Sequence, residues 1–318
     1  MNYNEITNKL RGAGIENPAF ETRIIMEDIA EISSVDFVTK NIIFEDSIHP
    51  HPNLPPSRGK EHSRKSSPHS YLGRGEDLGG GDVIIIPFEI SQKILSIINR
   101  RIKGESLGRI LGYRDFWKSR FYLSPETLEP RPDTETLIET ALDGKPPHRI
   151  LDLGTGTGCI LLSLLQEFPN ATGIGVDISD GACVTARGNA ERLGLSHRAQ
   201  FLTGSWIDPL PSDSQFDLIV SNPPYIPSAE IRNLQKEVQN HDPILSLDGG
   251  TDGLLPYKYL CSNLKKYLET DGVVLFEFGA GQGNDIIRIV KDAGATLIRV
   301  VSDLGGHQRV IKFTYGDN

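Results

Sequence analysis

The chain is short of several things, and each shortage excludes a class of protein. Cysteine occurs only at Cys159, Cys183 and Cys261, far apart and with no C-x-x-C pair, which argues against a disulfide framework or a structural zinc site. That usage suits a reducing cytoplasm. No run of about 18 apolar residues occurs, and the opening MNYNEITNKLRGAG lacks the apolar stretch of a signal peptide. Neither membrane insertion nor export is therefore expected. Basic charge is not in excess either: 33 Lys and Arg stand against 42 Asp and Glu, a formal net charge of -9. This balance is unfavourable for a protein that must neutralise the phosphates of a duplex, so nucleic acid is not the expected partner. What is present is a 318-residue chain with 38% hydrophobic residues, enough to build a large domain and a smaller one.

The first part, residues 1–105, reads as a small helical domain. Gly12-Ala13-Gly14 marks a turn, Asn17-Pro18 a helix start with Asn as cap and Pro at the first helical position, and Ile25, Ile29 and Ile32 recur at helical spacing. A second stripe, Ile90, Ile94, Ile97 and Ile98, ends in Arg100, Arg101, Lys103 and Gly104, basic residues and a glycine suited to a helix C-terminus. Residues 49–81 interrupt this domain. About half of them are Pro, Gly or Ser, only Leu54, Tyr71, Leu72 and Leu78 are apolar, and the stretch from Pro50 is echoed from Pro68. It reads as a disordered low-complexity insert, and His49 and His51 within it are not read as a metal site. Residues 106–144 read as a linker. From 145 to 318 short apolar runs alternate with amphipathic segments, giving seven candidate strands: 149–153, 173–178, 200–203, 216–221, 273–278, 296–301 and 309–315. The expected fold is α/β, a seven-stranded doubly wound sheet with its ligand beyond the carboxyl ends of the strands.

Two turns carry chemistry. Asp152-Leu153-Gly154-Thr155-Gly156-Thr157-Gly158 runs a strand into a glycine-rich turn before an apolar helix, where glycines let a ligand approach the backbone. Asp177, 19 residues after Gly158 and at the end of the next strand, is placed to accept from two ribose hydroxyls; capping the following helix is its structural alternative. The spacing G-x-G-x-G lacks the G-x-G-x-x-G of a dinucleotide site. S-adenosyl-L-methionine (SAM) needs a ribose acceptor, a backbone cradle and an acceptor nucleophile in line with its methyl group. The second turn, Ser221-Asn222-Pro223-Pro224-Tyr225-Ile226, supplies the last of these, because two prolines remove N–H donors and leave an amide oxygen and backbone carbonyls as acceptors. Cys159, at a helix start, reads as packing, and Glu277 as a strand-end carboxylate without an assignable partner.

With Leu128-Glu129-Pro130-Arg131-Pro132-Asp133-Thr134-Glu135 and Asp248-Gly249-Gly250-Thr251-Asp252-Gly253-Leu254 added to these two turns, the chain resembles the HemK/PrmC family of release-factor glutamine methyltransferases, class I SAM-dependent enzymes with a Rossmann-like sheet. Glu129, where an aliphatic residue is more usual, and the insert depart from the pattern. The resemblance implies methylation of the N5 side-chain nitrogen of the glutamine in the Gly-Gly-Gln motif of class 1 peptide-chain release factors, with S-adenosyl-L-homocysteine as product and no metal. It implies that Gly154, Thr155, Gly156, Thr157, Gly158, Asp177, Trp206 and Asn222 contact the cofactor. Asn222, Pro223, Pro224 and Tyr225 hold the glutamine, with Asn222, Pro223 and Tyr225 as the catalytic set. It implies too that residues 106–144 close the site and that the N-terminal domain docks the substrate. Asn222 Oδ1 and the Pro223 carbonyl would each accept one amide N–H, orienting a poor nucleophile. The rival readings are an adenine N6 methyltransferase of nucleic acid, whose exocyclic amine presents the same two donors, and a noncatalytic SAM-binding scaffold.

Overall fold

The computed structural model describes residues 3–32, 41–44, 71–74 and 82–316, and contacts divide the chain into two units, Met1–Ile110 and Leu111–Asn318. In the first unit, helices Tyr3–Gly12 and Pro18–Ala30 are joined through a turn in which Gly14 has φ 79°. Pro18 opens the second helix as expected, but the Asn17 side chain makes no capping bond. Its backbone, at φ -121° and ψ 61°, lies outside the extended region from which a cap reaches back to the first turn. The helix ends at Ala30 because Glu31 turns left-handed at φ 54°, so Ile32 is buried beyond the helix and not on its stripe. Helix Phe88–Ile102 lays Ile94, Ile97 and Ile98 against both, and Arg101 clasps Glu21 with two bonds of 2.8 and 3.0 Å.

This unit also holds a sheet that its helical pattern did not announce. Strand β3 (Asp82–Ile86) lies between β1 (Asn41–Phe44), to which it is parallel, and β2 (Tyr71–Arg74), to which it is antiparallel. β2 falls within 49–81, where Tyr71-Leu72 is the most apolar pair of the segment, and pairing satisfies its backbone groups. The remainder of 49–81, His49 and His51 included, lies outside the described residues.

In the second unit the stretch expected as a linker begins with a hairpin, β4 (Tyr113–Phe116) and β5 (Ser119–Tyr122), turning at Trp117 with φ 54°. Asn189 receives the Tyr122 N–H and donates to the Tyr122 carbonyl, both at 3.0 Å. Helix Glu135–Leu142 follows, burying Leu137, Ile138 and Ala141. Glu129 is buried beside Arg114 at 3.4 Å, which accounts for a carboxylate at that position. The large sheet contains all seven expected strands with ends shifted by up to several residues: β6 (Arg149–Leu153), β7 (Thr172–Asp177), β8 (Ala199–Thr203), β9 (Phe216–Ser221), β10 (Leu268–Glu277), β11 (Thr296–Ser302) and β12 (Gln308–Thr314). Their order is β11-β12-β10-β9-β6-β7-β8, and every pairing is parallel except the two made by β12.

The inner strands β6 and β9 are buried along most of their length because helices cover both faces. Ile150, Leu218 and Val220 point into one core with Leu161, Leu165 and Ala186, while Leu151, Leu153 and Ile219 point into the other with Tyr257, Phe276, Ile286 and Val290. The chain order reverses between β6 and β9, so a crevice opens beyond their carboxyl ends. There the Ser221 hydroxyl donates to the Leu153 carbonyl at 2.6 Å, joining the two strand ends.

Candidate active site

Both chemistry-bearing turns leave the sheet at this crevice. After β6, Gly154, Gly156 and Gly158 all take positive φ, at 75°, 55° and 79°, a path that other residues follow only under strain. The Gly154 and Thr155 N–H groups both donate to the Val176 carbonyl, at 2.8 and 3.0 Å. Asp177, ending β7, accepts from Gly156 N at 2.8 Å and from Ser179 N at 2.9 Å, so it braces the turn and the start of helix Asp180–Arg192 together. Ser179 is itself the cap, accepting from Ala182 N at 3.2 Å. Burial raises the Asp177 pKa against these backbone donors. Trp206, left-handed at φ 50°, brings its ring to 3.8 Å from where a Gly154 Cβ would stand.

These features fit a nucleoside-type methyl donor. Apart from its chain neighbours, nothing lies within 4 Å of the place a Gly156 Cβ would occupy, so the turn faces open space beside the Asp177 carboxylate. Beneath it Asp152 is fully buried, accepts the Thr155 hydroxyl at 2.7 Å, and has its pKa pushed up to about 7 by burial. Its Oδ1 and the Thr157 Oγ1 have no partner among the described residues. Cys159 is a packing residue as expected, although its thiol does not move toward ionisation: burial pushes its pKa up to about 12 and outweighs the helix N-terminus.

After β9, Asn222 donates from Nδ2 to the Thr134 hydroxyl at 3.1 Å. Pro223 is buried, and the Tyr225 carbonyl accepts Gln282 Nε2 at 2.9 Å while Gln282 Oε1 accepts Gly279 N at 2.9 Å. The Asp248–Leu254 stretch backs this turn through Gly249 N to the Ile226 carbonyl at 2.9 Å and Ser228 N to the Gly250 carbonyl at 2.9 Å. The fit is close enough to require glycine: a Cβ on Gly249 would meet the Pro224 carbonyl at 2.8 Å. The Tyr225 ring packs over Gly279, and burial pushes its hydroxyl pKa up to about 12.

The charged side chains of the segment before β6 are paired. Arg131 pairs with Asp242 at 2.5 Å, Asp133 with Arg309 at 3.0 Å, and Glu135 accepts the Trp117 N–H at 2.7 Å. Thr134, between them, reaches Asn222. Glu277 lies buried under this junction with its pKa raised to about 7 by burial, opposed by Thr134, Arg309 and Asn222. Sequence reasoning missed Thr134, Gln282 and Arg309 as site residues. Glu277 alone carried a signal, as an acid within the apolar run Val273–Phe278.

The structure thus brings Gly154–Gly158, Asp177 and Trp206 together on one side of the crevice, and Asn222–Tyr225 with Thr134 and Glu277 on the other. A groove of about 950 Å³ lies elsewhere, at the starts of β7 and β8 and lined by Arg149, Arg187 and Arg198. Arg187 and Arg198 are occupied with backbone carbonyls of Phe201, Phe168 and Ala171, and no expected site residue is there.

Residues 145–292 match the family model described as a methyltransferase domain. A release factor glutamine methyltransferase of Agrobacterium fabrum is 38% identical over 312 residues, covering 96% of this chain and 93% of that protein. One from Rhodospirillum rubrum is 45% identical over 243 residues, covering 76% and 74%. Among solved structures, the hMettl16 catalytic domain in complex with an RNA hairpin is similar with a TM-score of 0.50 at 15% identity, covering 79% of this chain and 87% of that one. At that identity the likeness extends to the fold alone.

Proposed function

The chain belongs to the release factor glutamine methyltransferases, and from that premise we propose that it moves a methyl group from SAM to the N5 nitrogen of the glutamine in the Gly-Gly-Gln loop of class 1 peptide-chain release factors, leaving S-adenosyl-L-homocysteine. Gly154, Thr155, Gly156, Thr157 and Gly158 would cradle the donor, Asp177 its ribose and Trp206 its base, with Asn222 at the reacting end. Bound there, SAM supplies an electrophilic methyl group carried on a sulfonium.

The observation that carries this reading is the orientation of Asn222. Its Nδ2 is engaged by Thr134 at 3.1 Å, so Oδ1 is the end left for a donor. A glutamine amide is a weak nucleophile because its nitrogen lone pair is delocalised into the carbonyl. Asn222 Oδ1 and the Pro223 carbonyl each accept one of its N–H groups, turning the nitrogen's remaining face to the methyl group and stabilising the positive charge that develops. Pro224 adds no competing donor, and Tyr225 stacks on the amide plane. The methylated nitrogen is acidic and releases its proton to water, so no strong base is required.

The helical first unit is assigned the docking of the release factor. Three buried, unpaired cysteines support action in the reducing cytoplasm. The test incubates the enzyme with labelled SAM and either a folded release factor or unmethylated DNA, followed by mass analysis. A single methyl on the loop glutamine is expected, and label on adenine instead overturns the reading. Asn222→Ala should lose on the order of 10² in turnover, and Asn222→Asp, which keeps an acceptor, should fall between.

A further inference from the structure

Glu277 has no part in the reaction as derived so far. It is 1% exposed at the end of β10, and its Oε2 meets no hydrogen-bond partner among the described residues. The Tyr257 hydroxyl goes to its backbone carbonyl, at 2.8 Å, and not to its carboxyl group. Facing that group are Arg309 from β12, Asp133 and Thr134 from the turn Pro132–Thr134, and Asn222 and Tyr225 from the turn after β9. Tyr257 and Cys159 approach from their helices. The one cation in this set, Arg309, is shared with Asp133 and Asp303, each at 3.0 Å.

An asparagine side chain has two ends of nearly equal size, and its neighbours decide which way it points. Thr134 by itself does not decide, since a hydroxyl either accepts from Nδ2 or donates to Oδ1. A carboxylate that both side chains face breaks the tie. Being acceptor-only, it draws the hydroxyl proton and leaves Thr134 with lone pairs alone to offer Asn222. Resting on the reading of Asn222 as acceptor for the substrate amide, we propose that Glu277 is a positioning residue that, through Thr134, holds Asn222 Oδ1 toward the glutamine. Glu277 does this only when ionised. Burial raises its pKa to about 7, with Asp133 acting in the same direction and Thr134, Arg309 and Asn222 against it, so the locked orientation gains population as pH rises through neutrality.

The test is a set of single-turnover rates at saturating SAM, with SAM affinity by calorimetry as the check on folding. Thr134→Val and Glu277→Gln should each slow methyl transfer roughly tenfold, the scale of one hydrogen bond, while Thr134→Ser stays near wild type. The wild-type rate should climb across neutral pH, and the Glu277→Gln rate should not. Adding Thr134→Val to Asn222→Ala should cost nothing further, because the residue that Thr134 orients is gone. Equal slowing by Thr134→Val in both backgrounds, or a wild-type rate and pH profile in Glu277→Gln, overturns the proposal. If Asn222→Ala itself reacts at the wild-type rate, the acceptor reading falls and takes this proposal with it, an outcome distinct from the other two. Should Glu277→Gln fail to fold, the Thr134 and Asn222 cycle still decides.

Discussion

Both oxygens of Asp177 already receive backbone N–H groups, from Gly156 and Ser179, yet each keeps a lone pair for a ribose hydroxyl. Bracing a helix start and binding a sugar are therefore not alternatives at this residue. Asp177→Ala should weaken SAM binding by roughly 1–3 kcal/mol, and calorimetry on the folded variant measures it; unchanged affinity would remove the ribose assignment. Glu277 gives a second prediction, on stability. Its folded pKa, about 7, lies above the ordinary glutamate value of 4.5, so the folded state holds the proton more tightly than the unfolded chain. The associated stability is fully present below about pH 4.5 and is lost as pH rises to about 7. Glu277→Gln should remove this loss. Against wild type, the variant should gain on the order of 3 kcal/mol between pH 4.5 and 8, read from denaturant midpoints. Asp152 titrates in the same window but is common to both proteins and cancels in the difference.

Elements were legible where burial on two faces forces an apolar run. The inner strands of the large sheet announced themselves this way; the edge strand β11, which has no buried residue, was read from its short apolar run alone, and the glycine and Asn-Pro-Pro-Tyr turns from their residue types. The hairpin Tyr113–Tyr122 did not announce itself, because its strands carry Arg114, Asp115 and Arg120 and are held from a distance. Asn189, fully buried, bonds both backbone groups of Tyr122 and the Thr157 carbonyl, each at 3.0 Å. Nothing local to either stretch reveals such a partner. The contact between Thr134 and Asn222 was hidden for the same reason, since it depends on where the strand order places two segments 88 positions apart. Asn189 joins the hairpin, its own helix and the glycine turn, so Asn189→Ala should cost about 1–3 kcal/mol for the groups left unpaired. It should also weaken SAM binding, because Thr157 belongs to the cradle. A thermal melt with and without SAM checks both.

For the chain as a whole, residues 49–66 have a composition that cannot support a core. Deleting them, while keeping β2, should leave the thermal midpoint and SAM affinity close to wild type, because closure entropy depends only slowly on length. A collapse of the midpoint would show that they are integrated. The large sheet has the opposite character. Its last strand in chain order, β12, is inserted between β10 and β11, and Arg309 on that strand reaches both Asp133 and Asp303. During synthesis the sheet therefore waits with a gap in its interior until β12 has cleared the ribosome. A polypeptide halted before Gln308 has no way to complete the crevice and presents two raw strand edges to the cell's proteases, so the enzyme that serves termination exists only once its own translation has passed β12.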